Sequence, residues 1–334
     1  MTKSITAIYF LMLLCISACY SQEKSAKMKD NKNPLLCDIE TGICEIPAGK
    51  LTETKQGINP DNKPVKIIYF TDPICSSCWG VEPQLRKLKL EYGNEVTIEY
   101  HMGGLLPDWS YNSGGISKPS DVAHHWDEVS KYYDMPIDGD VWLENPLNSS
   151  YPPSIAFKAA QIQNEKKAIV FLRIIREMVF LEKKNIEKWE HLETAAKKAG
   201  LDPIQLKADF EGKAKELFYA DLEMGKKLGV RGFPTFIFSN GTSDPITVYG
   251  FKPYSAFEDS VKKLYPTAAK TKIDSSWISL FHNYSTLTTR EFSELSGKSR
   301  PESEKHLQSL ADNNELHKLV TKNGVLWSKK DITK

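Results

Sequence analysis

Two cysteines, Cys75 and Cys78, stand with only Ser76 and Ser77 between them. Such a pair can store two electrons as a disulfide and pass them on by thiolate attack. The run before it, Ile67-Ile68-Tyr69-Phe70, is β-branched and aromatic and reads as a buried strand, which Asp72-Pro73 stops. Behind the pair, Val81, Leu85 and Leu88 recur with helical spacing. A thiol at a helix start faces unpaired N–H groups and the positive end of the dipole, and both favour thiolate. On this reading Cys75 is the attacking and leaving sulfur. Cys78, beside it at i,i+3, resolves the mixed disulfide. The competing readings are an inert buried pair or half of a zinc site. Zinc wants two more ligands at similar spacing, and Cys37 and Cys44 have six residues between them.

The elements that position this pair follow in order. Val96 to His101 alternates as a second strand, and Gly103-Gly104 makes a loop. Trp109 to Ile116 is loop-like, and His124 to Tyr133 opens a helix. The adjacent histidines of that helix point different ways, which suits packing or solvation better than metal binding. Helical periodicity then runs through 151–164, 167–180 and 188–199, with Gly200 as a cap, and continues from 204 to 228. A β-rich run follows at Thr235-Phe236-Ile237-Phe238. Asn240-Gly241 is a hairpin turn signal, Ile246 to Phe251 pairs back, and Tyr254 to Leu264 is a closing helix.

Strand, Cys-x-x-Cys and helix in that order resemble the thioredoxin fold. The details are similar to its DsbA-like branch. Pro83 matches the helix-kinking proline, and Glu82 matches an acidic residue found just after the motif. Trp79-Gly80 and Met102-Gly103-Gly104-Leu105 resemble the FrnE-like, predicted protein-disulfide isomerase group. Gly229-Val230-Arg231-Gly232-Phe233-Pro234-Thr235-Phe236 resembles the segment that carries the family's cis-proline. The resemblance spans residues 64–266 and implies an α/β thioredoxin-like domain with a helical insertion at about 115–228. It implies catalytic Cys75, Cys78 and Pro234, with Glu82 as a proton acceptor for Cys78. It also implies that Phe233 and Trp79 contact substrate, with the Phe233 backbone pairing to an extended peptide. No metal or organic cofactor is called for, because the sulfurs carry the electrons. Glutathione-dependent transferases and isomerases of the same branch usually carry serine at the position of Cys75, which counts against that activity.

Residues 1–18 read as a leader, with Lys3 followed by a hydrophobic run too short to span a bilayer. Ile16-Ser17-Ala18-Cys19 resembles a lipobox, which makes Cys19 a lipidated mature N-terminus. An ordinary signal peptide or a short uncleaved anchor are the other readings. Residues 19–60 form a polar tether that holds Cys37 and Cys44, with Thr41-Gly42 able to turn the chain between them. This pair is either a structural staple or a second redox pair that exchanges with Cys75/Cys78.

Residues 273–334 read as three helices and a hairpin. Thr288 to Glu291 has a capping-box pattern, and Asn323-Gly324 makes a turn. The order looks like a winged-helix domain. From residue 273 on there are nine basic and eight acidic side chains, a weak footprint for nucleic acid. The whole chain of 334 residues has a formal charge of +1. The sequence therefore points to a lipid-anchored thiol–disulfide oxidoreductase of the cell envelope. Its partners are exported proteins, a redox partner protein and the membrane, with no nucleic acid. The alternative is an adaptor or redox-sensing binding module. Some DsbA-like relatives with a C-terminal extension are cytosolic adaptors for proteolysis, which requires the leader to be misread or uncleaved.

Overall fold

A computed structural model describes residues 44–45, 63–110 and 118–330. The leader, Cys19, Cys37 and most of the tether lie outside the described residues, as does most of the 109–116 loop. Strand β1 is the two-residue Cys44–Glu45. Strand β2, Val65–Thr71, is the spine of a four-stranded sheet. It lies parallel to β3 (Val96–Met102) and antiparallel to β5 (Thr235–Ser239), and β5 pairs with β6 (Ile246–Tyr249). Its β-branched and aromatic residues suit a strand covered on both faces. Tyr69 stacks on Phe236 at 4.2 Å and meets Tyr100 edge-on at 5.2 Å, so cross-strand aromatic pairs fix the register. The β5–β6 turn is the expected one: Asn240 Oδ1 accepts the N–H groups of Thr242 and Ser243, and Gly241 has φ 77°.

After β2 the chain forms α1 (Ser76–Gly80) and α2 (Glu82–Tyr92), where the periodicity predicts one helix. Pro83 explains the break. It has no N–H for the carbonyl of Trp79, and its ring would collide with that group. The insertion holds α3 (Ser120–Tyr133), α4 (Val141–Glu144), α5 (Tyr151–Gln163), α6 (Glu165–Leu181), α7 (Trp189–Lys198), α8 (Pro203–Glu211) and α9 (Lys213–Lys227). The continuous helix expected over 204–228 is two helices. Gly212 separates them with the non-helical angles φ −112° and ψ −115°. Then β4 (Gly232–Phe233) leads into β5, and α10 (Tyr254–Leu264) closes the domain. This is the thioredoxin-like arrangement with a helical insertion that the resemblance implies.

The C-terminal unit runs α11 (Trp277–Asn283), β7 (Thr286–Thr288), α12 (Thr289–Ser296), α13 (Arg300–Asp312), β8 (Leu316–Thr321) and β9 (Gly324–Lys329). Its sheet has the order β7-β9-β8. The Thr288–Glu291 capping box is formed, and Ser299 with Glu302 makes a second at α13. Sequence periodicity missed β7, because three residues carry no alternation to read. The unit has its own apolar core around Leu287, Phe292, Leu307 and Trp327, and α12 packs on α2.

Candidate functional site: a buried dithiol

Cys75 is the N-cap of α1, and its Sγ accepts the N–H of Cys78 at 3.2 Å. Its own N–H donates to the carbonyl of Asp72 at 3.3 Å. Cys75 and Cys78 carry no disulfide and are wholly buried. The helix-start position is therefore as expected, but the charge is not. Burial pushes the Cys75 thiol well up, and the S–H contact to Cys78 and that neighbour's charge add to it. Burial also opposes ionisation of Cys78. There it is outweighed by the hydrogen bond from Cys75, the charge of Arg176 and bonding from Thr71 and Asp72, so Cys78 is lowered. A five-residue helix offers little dipole to reverse this. Of the two sulfurs, Cys78 is therefore the one that ionises more readily, and Cys75 the one that keeps its proton.

Arg176, from the middle of α6, is the cation that steadies this thiolate. It is 1% exposed. Its Nη1 donates to Glu82 Oε1 at 2.7 Å, and its Nη2 donates to Thr71 Oγ1 and to the Asp72 carbonyl at 3.3 Å. Glu82 was expected to take a proton from Cys78. Instead it is the anion that holds Arg176, with Arg86 Nε 3.7 Å from its other oxygen. Sequence reading missed Arg176 because it lies about a hundred residues from the motif. The available signal was an arginine inside the apolar run Ile174 to Phe180, on a helix with little polar face.

Asp72, read from sequence only as part of the strand stop, also belongs to the site. Its carboxylate is buried and accepts from the N–H groups of Ile74 (3.0 Å) and Leu105 (2.8 Å) and from Ser150 Oγ (2.8 Å). Burial raises its pKa to about 6 despite these bonds. The unfolded carboxylate titrates near 3.8, so the native state binds the proton more tightly. The stability this contributes is complete below about pH 4 and is lost as pH rises through about 6. Ionised Asp72 then costs on the order of 3 kcal/mol. Asp72→Asn is expected to remove that loss. The stability difference between variant and wild type should shift in favour of the variant by about that amount between pH 4 and 7, read from urea midpoints at each pH.

The two residues expected to contact substrate are not at a surface. Trp79 is buried: its Nε1 donates to the Pro136 carbonyl at 2.9 Å, Phe180 stacks on it, and the Arg173 guanidinium lies 4.3 Å from its ring. It anchors the motif to the insertion. Phe233 is also buried, with its ring laid on Gly103, where a Cβ would come within 1.8 Å. That explains Gly103 of the Met102-Gly103-Gly104 stretch. Gly103→Ala is expected to cost about 1–3 kcal/mol by forcing the ring aside, measurable as a lower urea midpoint. The Phe233–Pro234 peptide is cis, as the resemblance implies. The backbone of Phe233 pairs with β1, Cys44 opposite Phe233 and Glu45 opposite Gly232.

The C-terminal unit reaches this site through charge. Glu291 is wholly buried and takes both Arg173 Nη1 (2.7 Å) and Nη2 (3.0 Å), with Arg86 Nε 3.2 Å away. Arg86 also donates to the Thr286 carbonyl at 2.7 Å. A row of alternating charges, Glu291–Arg86–Glu82–Arg176, therefore runs from the C-terminal unit to Cys78. Among the described residues no helix is long and apolar enough to cross a membrane.

With this geometry established, comparison with known proteins gives three findings. A family model described as Thioredoxin matches residues 69–259, more than half of the chain. A ClpXP adapter protein SpxH of Halalkalibacterium halodurans is 33% identical over 306 residues, covering 90% of this chain and 99% of that protein. The ClpXP adapter protein SpxH of Bacillus subtilis is 28% identical over 270 residues, 79% of this chain and 89% of that one. Among solved structures, a candidate protein disulfide isomerase from Nitrosomonas europaea superposes with a TM-score of 0.52 at 21% identity. That match covers 61% of this chain and 97% of that one, and it speaks for the fold. A parallel β2–β3 pair, a Cys-x-x-Cys pair at the start of the next helix and a cis-proline entering β5 fit that match, and the chain belongs to the thioredoxin family.

Proposed function

We propose that this protein is a redox-sensing adaptor, a protein-binding module that delivers a client to a ClpXP-type protease, with the Cys75–Cys78 dithiol as its sensor. The observation that carries this is the state of Cys75. A sulfur that turns over protein disulfides has to be exposed and readily ionised. Here the attacking sulfur is sealed and protonated, and the strand edge beside it is taken by β1. The SpxH relative of Halalkalibacterium halodurans supports the same reading, since the match covers 90% of this chain and 99% of that protein. Purified ClpXP is the assay. With the protein added to a proteome, at least one protein should be depleted faster. The reduced Cys75→Ser/Cys78→Ser variant should do the same, while reduction of a test protein disulfide stays at background. Dithiol turnover lost on Cys75→Ser, with no effect on ClpXP, overturns the reading.

A second reading has its own support in the leader-like residues 1–18 and in the Arg176-stabilised thiolate at Cys78. It is the lipid-anchored oxidoreductase of the envelope, acting on exported proteins. The mature N-terminus separates the two. Acylated Cys19 in protein from its own cells favours the anchored enzyme, and a retained Met1 favours the adaptor.

A further inference from the structure

We propose that Cys44 is the chain's own exchange partner for Cys75, so that the segment carrying β1 is a tethered substrate of the dithiol. The proposal deepens the redox-sensing reading and rests on it for the competence of the dithiol.

The argument starts from register. Strand β5 pairs antiparallel with β2, with Thr235 opposite Phe70. One step further along that pairing places Pro234 beside Thr71, and β4 beside the loop that runs from β2 to Cys75. The edge of β4 is therefore the edge next to the reactive sulfur. An extended peptide that adds to such an edge contributes its backbone and presents its residues at fixed positions. Strand β1 does this from within the chain, and the residue in register with Phe233 is a cysteine. The second observation is burial. Cys75 is 0% exposed, so a cysteine carried on a strand whose backbone already pairs at this edge has an advantage over one arriving from solution. A tethered partner acts at an effective concentration in the millimolar range.

The exchange conserves electrons. A low-molecular-weight disulfide such as oxidised glutathione takes two electrons from the dithiol and leaves as two thiols, forming the Cys75–Cys78 bond. Cys44 thiolate then attacks Cys75 Sγ. The Cys44–Cys75 bond forms as the Cys75–Cys78 bond breaks, and the electron pair leaves on Cys78, where Arg176 stabilises the thiolate. The reverse attack by Cys78 releases Cys44. The number of disulfides does not change. Oxidation thus ties β1 to the edge a client would use, and reduction removes that covalent tie while the β1–β4 backbone pairing stays.

The test is a non-reducing peptide map of the full-length Cys78→Ser variant after exposure to oxidised glutathione at concentrations below the millimolar range. With the resolving sulfur gone, Cys75 should be found joined to Cys44 in a monomer, about tenfold over its glutathione adduct. Adding Cys44→Ser should convert it to that adduct. Cys75 carrying glutathione while Cys44 stays reduced overturns the proposal. So does Cys75 joined to Cys37, Cys44 found only with Cys37, or a disulfide-linked dimer. Should Cys78→Ser not fold, acid-quenched wild type sampled through the same titration has to show the Cys44–Cys75 peptide rising and falling, and its absence overturns the proposal. The ClpXP assay reads client delivery and not this bond, so either idea can fail alone.

Discussion

Replacing Arg176 with methionine is expected to raise the pH at which the Cys75–Cys78 pair loses its first proton by about 1–3 units. The guanidinium is the only full positive charge that opposes burial at Cys78 among the causes of its lowered pKa. Without it the thiolate has hydrogen bonds but no counter-ion in a site sealed from water, where charge is most costly. The measurement is thiolate absorbance across pH, with Cys78→Ser as the blank. Arg176→Lys should recover part of the shift, because it restores the charge without the fork that reaches both Glu82 and Thr71. A titration unchanged in Arg176→Met would show that Cys75 and the backbone alone set the thiolate. Stability should fall as well, by about 3–5 kcal/mol, since Glu82 loses its buried partner. The titration therefore belongs at a temperature where far-UV dichroism shows the variant folded.

Glu291→Ala carries the other large effect, an expected loss of about 3–5 kcal/mol. Glu291 is the single carboxylate shared by Arg86 and Arg173, and removing it leaves two buried guanidinium groups facing each other. Arg173 keeps Glu177 at 2.6 Å, so the repulsion falls mainly on Arg86 and on the contact of α12 with α2. Urea unfolding should become less cooperative as the C-terminal unit separates first. The double variant Glu291→Ala/Arg173→Ala should cost less than the sum of its singles, because the second change removes a charge the first left unpaired. Costs that add would show that the ion pair contributes little. The pH dependence has the opposite sign to that of Asp72. Burial works against the Glu291 carboxylate, but Arg173 and Arg86 outweigh it and hold its pKa below the glutamate range. Its contribution is present above the ordinary value of about 4.3 and is lost as pH falls through the lower folded value. Acid should therefore loosen the C-terminal unit while it relieves the penalty at Asp72.

These two variants also test whether the row Glu291–Arg86–Glu82–Arg176 transmits. Glu291→Ala frees Arg86 to bind Glu82 more closely, in competition with Arg176. A thiolate titration that moves in Glu291→Ala would couple the C-terminal unit to the dithiol. One that stays fixed would make the row a set of separate pairs.

What the sequence determined by itself is local. The strand into Cys75, the helix start at the motif, the break-prone Pro83, the Asn240-Gly241 turn and the Thr288 capping box depend on a few neighbouring residues. So does the place of Pro234, because each is specified by backbone chemistry within one turn of chain. The tertiary structure decided everything that depends on charge and burial. Which sulfur ionises more readily depends on burial, on the contact between the two sulfurs and on Arg176, brought in from α6. Glu82 pairs with that same arginine, a contact its place beside the motif does not announce. Trp79 and Phe233 read as substrate contacts from their place in the motif, but α6 and Gly103 cover them. The pairing of Cys44 with Phe233 joins segments almost two hundred residues apart. No periodicity encodes such pairings, since desolvation and Coulomb terms depend on distances that exist only once the chain has folded.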